Sequence, residues 1–253
     1  MANWSDPRSS VGPGAAPFGT AATGARSTAY DAGLRSYMLS VYNYMASGVL
    51  LTGAVALGFA MSGYVSLLFN PATGGPNLLG WVVMLAPLAI VFAMSFGQAR
   101  METGTLKALF WGYAVLMGLS LSTVFLAYTG TAVAGAFFAT AAGFAGLSLV
   151  GYTTKRDLSA FGTFLIVGLI GLIVASLIAI WVPVLNPVIS IVGVLLFAGL
   201  TAYQTQRTKN LYFQVAGTPY QGKAVVMSAL ALYLDFINMF LFVLRIFGGG
   251  NRS

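Results

Sequence analysis

Polar and apolar positions alternate along this chain on the scale of a membrane, not of a turn. Seven apolar runs fall near residues 40–62, 78–97, 106–127, 132–152, 159–181, 187–208 and 223–247. At about 1.5 Å of rise per residue, each reaches across a hydrocarbon layer roughly 30 Å thick. The predicted fold class is therefore all-α: an integral membrane protein of seven transmembrane helices. The breaks are clear. They comprise Asn70 to Asn77, Thr129-Gly130, Pro183 to Pro187, and Gly217-Thr218-Pro219. Pro87 lies inside the second run and is expected to kink it. Residues 1–35 carry no apolar period and are rich in Ala, Gly, Pro, Ser and Thr, so they are expected to be a disordered tail. A short interfacial turn near Tyr30–Tyr37 is expected within it. No apolar core of signal-peptide type precedes the first run. The expected organisation is thus a tail over 1–35, a membrane domain over 36–248 and a short flexible tail over 249–253.

Composition removes most alternatives. Of the 253 residues 58% are apolar and 7% charged, whereas a soluble domain has about 25% charged residues. Cysteine and histidine are both absent. This excludes disulfides, Cys/His zinc sites and histidine acid–base chemistry. The formal charge of +7 has a distribution that speaks of topology. Ten of the twelve basic residues lie on one side: Arg8, Arg26, Arg35, Arg100, Lys107, Lys155, Arg156, Arg207, Lys209 and Lys223. The loops on the other side carry none before Arg245 and Arg252. By the positive-inside bias the amino terminus is cytosolic and, with seven spans, the carboxyl terminus is outside. Arg245 and Arg252 break the pattern and leave an alternative, an apolar hairpin returning to the cytosol. The partner implied is the lipid bilayer; no basic patch calls for nucleic acid. The many intramembrane glycines among the 31, such as Gly118, Gly162 and Gly193, predict close helix contacts.

One residue does not belong to this pattern. The chain has five acidic residues; Asp6, Asp31, Glu102 and Asp157 fall in the tail or in polar loops. Asp235 lies inside the seventh run. A charged Asp at a helix centre costs about 2.5–3.5 kcal/mol on insertion scales, so such a carboxylate is a functional candidate. Arg245, ten residues on, is about 15 Å further along the same axis and out of contact. Two readings stand. Asp235 is a neutral hydrogen-bond donor that pins its helix, or it is a titrating, ion-coordinating carboxylate on a permeation path. Asn43, Gln204, Gln206 and Asn238 are the other polar candidates, and hydrogen bonding between helices is the expected role of Asn43, Gln206 and Asn238. Asn238 shares a face with Asp235. No enzyme is expected. A His-based serine protease lacks its base, an aspartyl protease its second membrane aspartate, and a retinal protein its mid-helix lysine.

Several segments resemble the Bax inhibitor-1/YccA family, as a bacterial member. They are Tyr233-Leu234-Asp235-Phe236-Ile237-Asn238, Gly112-Tyr113 through Gly118-Leu119-Ser120-Leu121-Ser122, Gly151-Tyr152-Thr153-Thr154-Lys155-Arg156-Asp157-Leu158, and Gly199-Leu200-Thr201-Ala202-Tyr203 with Thr205-Gln206. The resemblance implies six helices around a central seventh and residence in the bacterial inner membrane. It also implies a pH-sensitive calcium leak, with two membrane aspartates as proton sensor. A second role in relatives is restraint of a membrane-bound AAA protease of the FtsH type. Asp235 matches the helix 7 aspartate. The helix 6 aspartate, in an Ala-Tyr-Asp-Thr-Gln pattern, is here Gln204, flanked by Tyr203 and Gln206. An amide and one carboxylate cannot share a proton as two carboxylates do, and calcium affinity depends on ligand charge. Weak calcium binding at Asp235 and an attenuated pH response are therefore expected, with calcium as the permeant ion and no other cofactor. In relatives an arginine near the end of helix 2 latches the aspartate pair; Arg100 is the nearest candidate here. The lysine-rich carboxyl terminus of animal members is missing. For Gln204 and Asp235 to lie at one depth, the sixth helix must run past Lys209, to about Val215.

Overall fold

In the computed structural model the described residues are 18–248, with side chains described from residue 31. The expectations for residues 1–17 and 249–253 lie outside them. The chain divides into two units, residues 1–36 and 37–253.

Eight helices follow in order: α1 (Phe18–Met61), α2 (Leu78–Gly97), α3 (Thr103–Leu121), α4 (Val124–Ala127), α5 (Gly130–Thr153), α6 (Ser159–Ile178), α7 (Asn186–Val215) and α8 (Gln221–Gly248). Short 3₁₀ turns occupy Tyr64–Leu68 and Pro183–Leu185, and no strand is present among the described residues. Seven segments are long and apolar enough to cross a membrane, with α4 completing the span that α3 begins. The chain is an all-α, multi-pass membrane protein, as the pattern of runs predicts.

Three boundaries differ from the sequence expectation. Helix already begins at Phe18, directly after Pro17, so part of the expected tail and the expected turn near Tyr30–Tyr37 are helical. The alanines at 21, 22, 29 and 32 are strong helix formers, and no proline interrupts them. α7 runs to Val215, past the basic pair Arg207 and Lys209. α8 is one unbroken helix of 28 residues, about 42 Å long. A returning hairpin at residues 223–247 is thereby corrected: with no Gly or Pro between Lys223 and Phe247, nothing breaks the backbone ladder.

The spans differ in how far they are enclosed. In the apolar window of α8, 61% of residues are buried, against 17–39% in the other spans. α8 packs against α3, α5 and α7, whereas α6 packs on α7 and α2 on α3. α1 reaches α8 at Gly48, where a Cβ would collide with Phe110 and sit tight against Tyr233. At Gly151 of α5 a side chain would overlap the Ala202 carbonyl of α7, so only glycine permits that crossing.

The two ends of the bundle are chemically distinct. At the basic end, Lys209 Nζ donates to the Tyr152 carbonyl (2.8 Å). Gln206 holds the α5–α6 loop, accepting from Leu158 N–H (2.8 Å) and donating to the Arg156 carbonyl (2.7 Å). Lys223 Nζ reaches the Gln98 and Ala99 carbonyls, at 3.4 and 3.5 Å, past the end of α2. The far end gathers Tyr128, Thr129, Asn186 and Arg245 around a cavity of about 770 Å³.

Candidate functional site

Asp235 stands fourteen residues into α8, at its midpoint. It is 5% exposed, and its Oδ2 is buried with no hydrogen-bond partner among the described residues. The Tyr113 hydroxyl shares that condition. An unpartnered polar atom in the interior costs about 1–3 kcal/mol, and here it belongs to the one acidic residue buried among the described residues.

Helical geometry fixes which way Asp235 points. Residues two turns apart share a face, so Asp235 lies on the stripe of Phe242. Phe242 stacks on Phe197 of α7 (centroids 6.0 Å, planes 27° apart). Its ring fills the space a side chain at Gly193 would need. Two turns along α7 from Phe197, toward the basic end, comes Gln204. Two turns along α8 from Phe242, in the same direction, comes Asp235. The antiparallel helices α7 and α8 therefore carry Gln204 and Asp235 at one depth on mating faces, about 10 Å below the Phe197–Phe242 pair. The extension of α7 to Val215 is what makes this register available. Gln204 is half-buried and makes no bond to Asp235 Oδ2.

The α7 positions around Gln204 include buried threonines on both sides. Thr201, one turn toward the far end, is buried and donates to the Phe197 carbonyl of its own helix at 2.8 Å. Toward the basic end Thr208 is buried, and Thr205 Oγ1 donates to Ser148 Oγ of α5 at 3.4 Å. Toward the far end the lining is aromatic, through Phe197 and Phe242, with Arg245 held 5.3 Å over the Phe242 ring.

On the opposite face of α8 the packing is closed. Tyr233 meets Tyr113 (centroids 5.2 Å) and Phe110 (6.1 Å) edge to face. The Thr52 hydroxyl donates to the Ala114 carbonyl at 2.8 Å. Its single proton is then spent, so the Tyr233 hydroxyl, 2.6 Å away, donates to Thr52 Oγ1. Phe236 packs on Phe137 and Phe144 of α5.

The other sequence candidates are placed elsewhere. Tyr203 turns its ring onto Gly162 of α6, away from α8. Gln206 serves the loop. Asn238 donates to the Leu234 carbonyl of its own helix at 2.8 Å. Asn43 is exposed. For Asn238 the expected bond between helices is corrected to one within α8, because the carbonyl one turn back is the nearest acceptor its short side chain can reach. Arg100 is exposed in the turn after α2, at the level of Lys223. That is about 18 Å along the α8 axis from Asp235, so no latch forms between them in this conformation.

The donor set does not make a resident metal site. No group of three or more His, Cys, Asp or Glu side chains exists among the described residues, and calcium takes six to eight oxygens. Sequence reasoning missed the Ser148–Thr205 pair and the Tyr233–Thr52–Ala114 chain. The spacing of Thr201, Thr205 and Thr208 on one helical stripe was the available signal for the first; nothing local announced the second.

Fold and site together define a multi-pass α-helical membrane protein with, among the described residues, a single buried carboxylate, set in its most enclosed span. The family described as inhibitor of apoptosis-promoting Bax1 matches residues 34–252, and the chain belongs to that family. It is similar to an uncharacterised protein of Caulobacter vibrioides, 46% identical over 88% of this chain and 92% of that one. It is similar to the inner membrane protein YbhL of Escherichia coli at 44% identity, covering 86% of this chain and 93% of YbhL. An uncharacterised Rickettsia prowazekii protein is 43% identical over 90% and 96%.

Proposed function

We propose that the chain is a proton-modulated leak for cations, calcium among them, in the bacterial inner membrane, with its basic end in the cytosol. The observation that carries the reading is the unpartnered Oδ2 of Asp235, set in the most enclosed span. A carboxylate kept for structure alone would be expected to spend both oxygens on hydrogen bonds. One oxygen left open can meet a passing cation when ionised and lose that affinity when protonated. Gln204, at the same depth, offers an amide oxygen to the cation but no charge. The site therefore binds weakly and titrates in one step, an attenuated version of a two-carboxylate sensor. Thr205 and Thr208, between Gln204 and the basic end of α7, lie along the approach from that end. No catalytic step belongs to this reading.

Reconstitution in proteoliposomes with a calcium indicator inside tests it. Wild type is expected to pass calcium at a rate that changes with pH, and Asp235→Asn to pass it at a rate that does not. Absence of flux at every pH in wild type sinks the leak. In that event, a change in turnover of a co-reconstituted AAA protease on deleting residues 1–30 favours the restraint role instead.

A further inference from the structure

Beside α8, on the side away from Gln204, a crevice of about 380 Å³ opens between α1 and α5. Its floor is formed by Phe137, Phe236 and Phe240, and its rim by Gly53, Leu57 and Phe138. The floor is enclosed, with Phe236 4% and Phe240 7% exposed, whereas Leu57 and Phe138 stand 47% and 69% exposed. The mouth therefore faces sideways, out of the bundle. Thr52 is the one lining residue with a polar side chain, and its hydroxyl is already committed to Ala114 and Tyr233. A water needs two to four polar partners; this space offers none and is dry.

Depth identifies what fills it. The α1 wall runs from Val49 to Leu57 of a helix ending at Met61, and the α5 wall starts at Gly130, the first residue of its helix. The α8 wall lies between the midpoint of that helix and its carboxyl end. All walls therefore belong to the half of the bilayer away from the basic end. Val49 to Leu57 covers about 12 Å of depth, most of a single leaflet's hydrocarbon, about 15 Å. A spanning helix of a second copy would run through the whole hydrocarbon, roughly 30 Å, whereas the crevice covers a single leaflet's depth of it. We propose that the crevice is a binding site for one acyl chain of a phospholipid from the leaflet opposite the basic loops.

Gly53 supplies the test. Nothing lies within 4 Å of the position its Cβ would take, so a larger side chain can enter the crevice without displacing protein. The full chain is purified in mild detergent, titrated with palmitoyl-oleoyl phosphatidylglycerol and examined by native mass spectrometry. Wild type is expected to retain one lipid, and Gly53→Leu to weaken that retention at least about tenfold. Gly58→Leu, also exposed on α1 with nothing within 4 Å but outside the crevice, is expected to retain it as wild type does. Ala134→Phe blocks the opposite wall and replaces Gly53→Leu should that variant fail to show a cooperative thermal transition. Equal retention by wild type and both crevice variants, or none by wild type, overturns the proposal. A wild-type dimer that Gly53→Leu renders monomeric assigns the crevice to a second copy and overturns it as well.

Discussion

α6 and α8 are both spanning helices, yet they are built on opposite terms. α6 is the more apolar of the two and the less enclosed, with 17% of its window buried against 61% for α8. In water the more apolar helix would be the inner one. In lipid, apolar surface gains nothing by turning inward, because the acyl chains are as apolar as leucine. What sorts the helices is packing and polarity. α8 carries Tyr233 bonded to Thr52, aromatic rings meeting α5 and α3, and the carboxylate of Asp235. α6 presents Ile166, Ile170, Ile173 and Leu177 outward, all about half exposed or more, and meets α7 at Gly162 against Tyr203 and Gly168 against Leu196. Position within the bundle follows the groups that lipid cannot satisfy.

The largest change expected from sharpening this contrast is functional. Gln204→Asp places a second carboxylate at the depth of Asp235, and two coupled carboxylates titrate in two steps. Calcium flux in proteoliposomes is expected to become more steeply pH-dependent than in wild type; an unchanged profile would show that the two positions do not share a site. Next comes packing. Gly193→Leu drives a side chain into the Phe242 ring and is expected to lower stability by about 1–3 kcal/mol. Gly171→Leu on α6 meets nothing within 4 Å and is expected to be neutral or to gain up to about 0.8 kcal/mol from helix propensity. Thermal unfolding in detergent distinguishes them, and equal losses would break the comparison.

Smaller effects follow. Tyr233→Phe removes the donor to Thr52, an intramembrane hydrogen bond expected to be worth about 0.6–1.7 kcal/mol, whereas Tyr203→Phe, on the α6 side, is expected to be silent. The smallest belongs to the loop before α6. The Ser159 hydroxyl and N–H hold the Asp157 carboxyl below the usual carboxylate range, the latter through a 2.9 Å bond. A lowered value in the folded state means the stabilisation is complete above the usual range and is lost as pH falls through the folded value. Asp157→Asn is expected to flatten a slight acid-side slope in a melting-temperature series and leave neutral pH almost unchanged, as for any fully exposed group.

The spans were legible because length and hydropathy alone define a membrane helix: residues 78–97 and 159 onward match α2 and the start of α6 to the residue. Helix ends outside the hydrocarbon were not, since there the hydropathy signal stops while the backbone ladder continues. This is why the early start of α1 and the last turns of α7 differ from the apolar runs. Asp235 was conspicuous in the sequence as a charge out of place. Its orientation was not, because the side of α8 it occupies depends on where Phe242 meets Gly193 and Phe197, a contact 45 residues or more apart in the chain. Asn238 shows the reverse: its partner lay one turn back, within reach of local reasoning about short polar side chains.

The Phe197–Phe242 stack seated on Gly193 also gives the bundle a sidedness. It is an apolar plug about 10 Å beyond Asp235, between the carboxylate and the far-end cavity where Arg245 stands. Thr205 and Thr208 lie on the other side of that depth. Under the proposed function, a proton or cation exchanging with Asp235 would meet an oily barrier from one compartment and hydroxyl groups from the other. In asymmetric vesicles the response is expected to follow the acidity of the solution bathing the basic end and to ignore that of the opposite one, so that the protein reports on a single compartment.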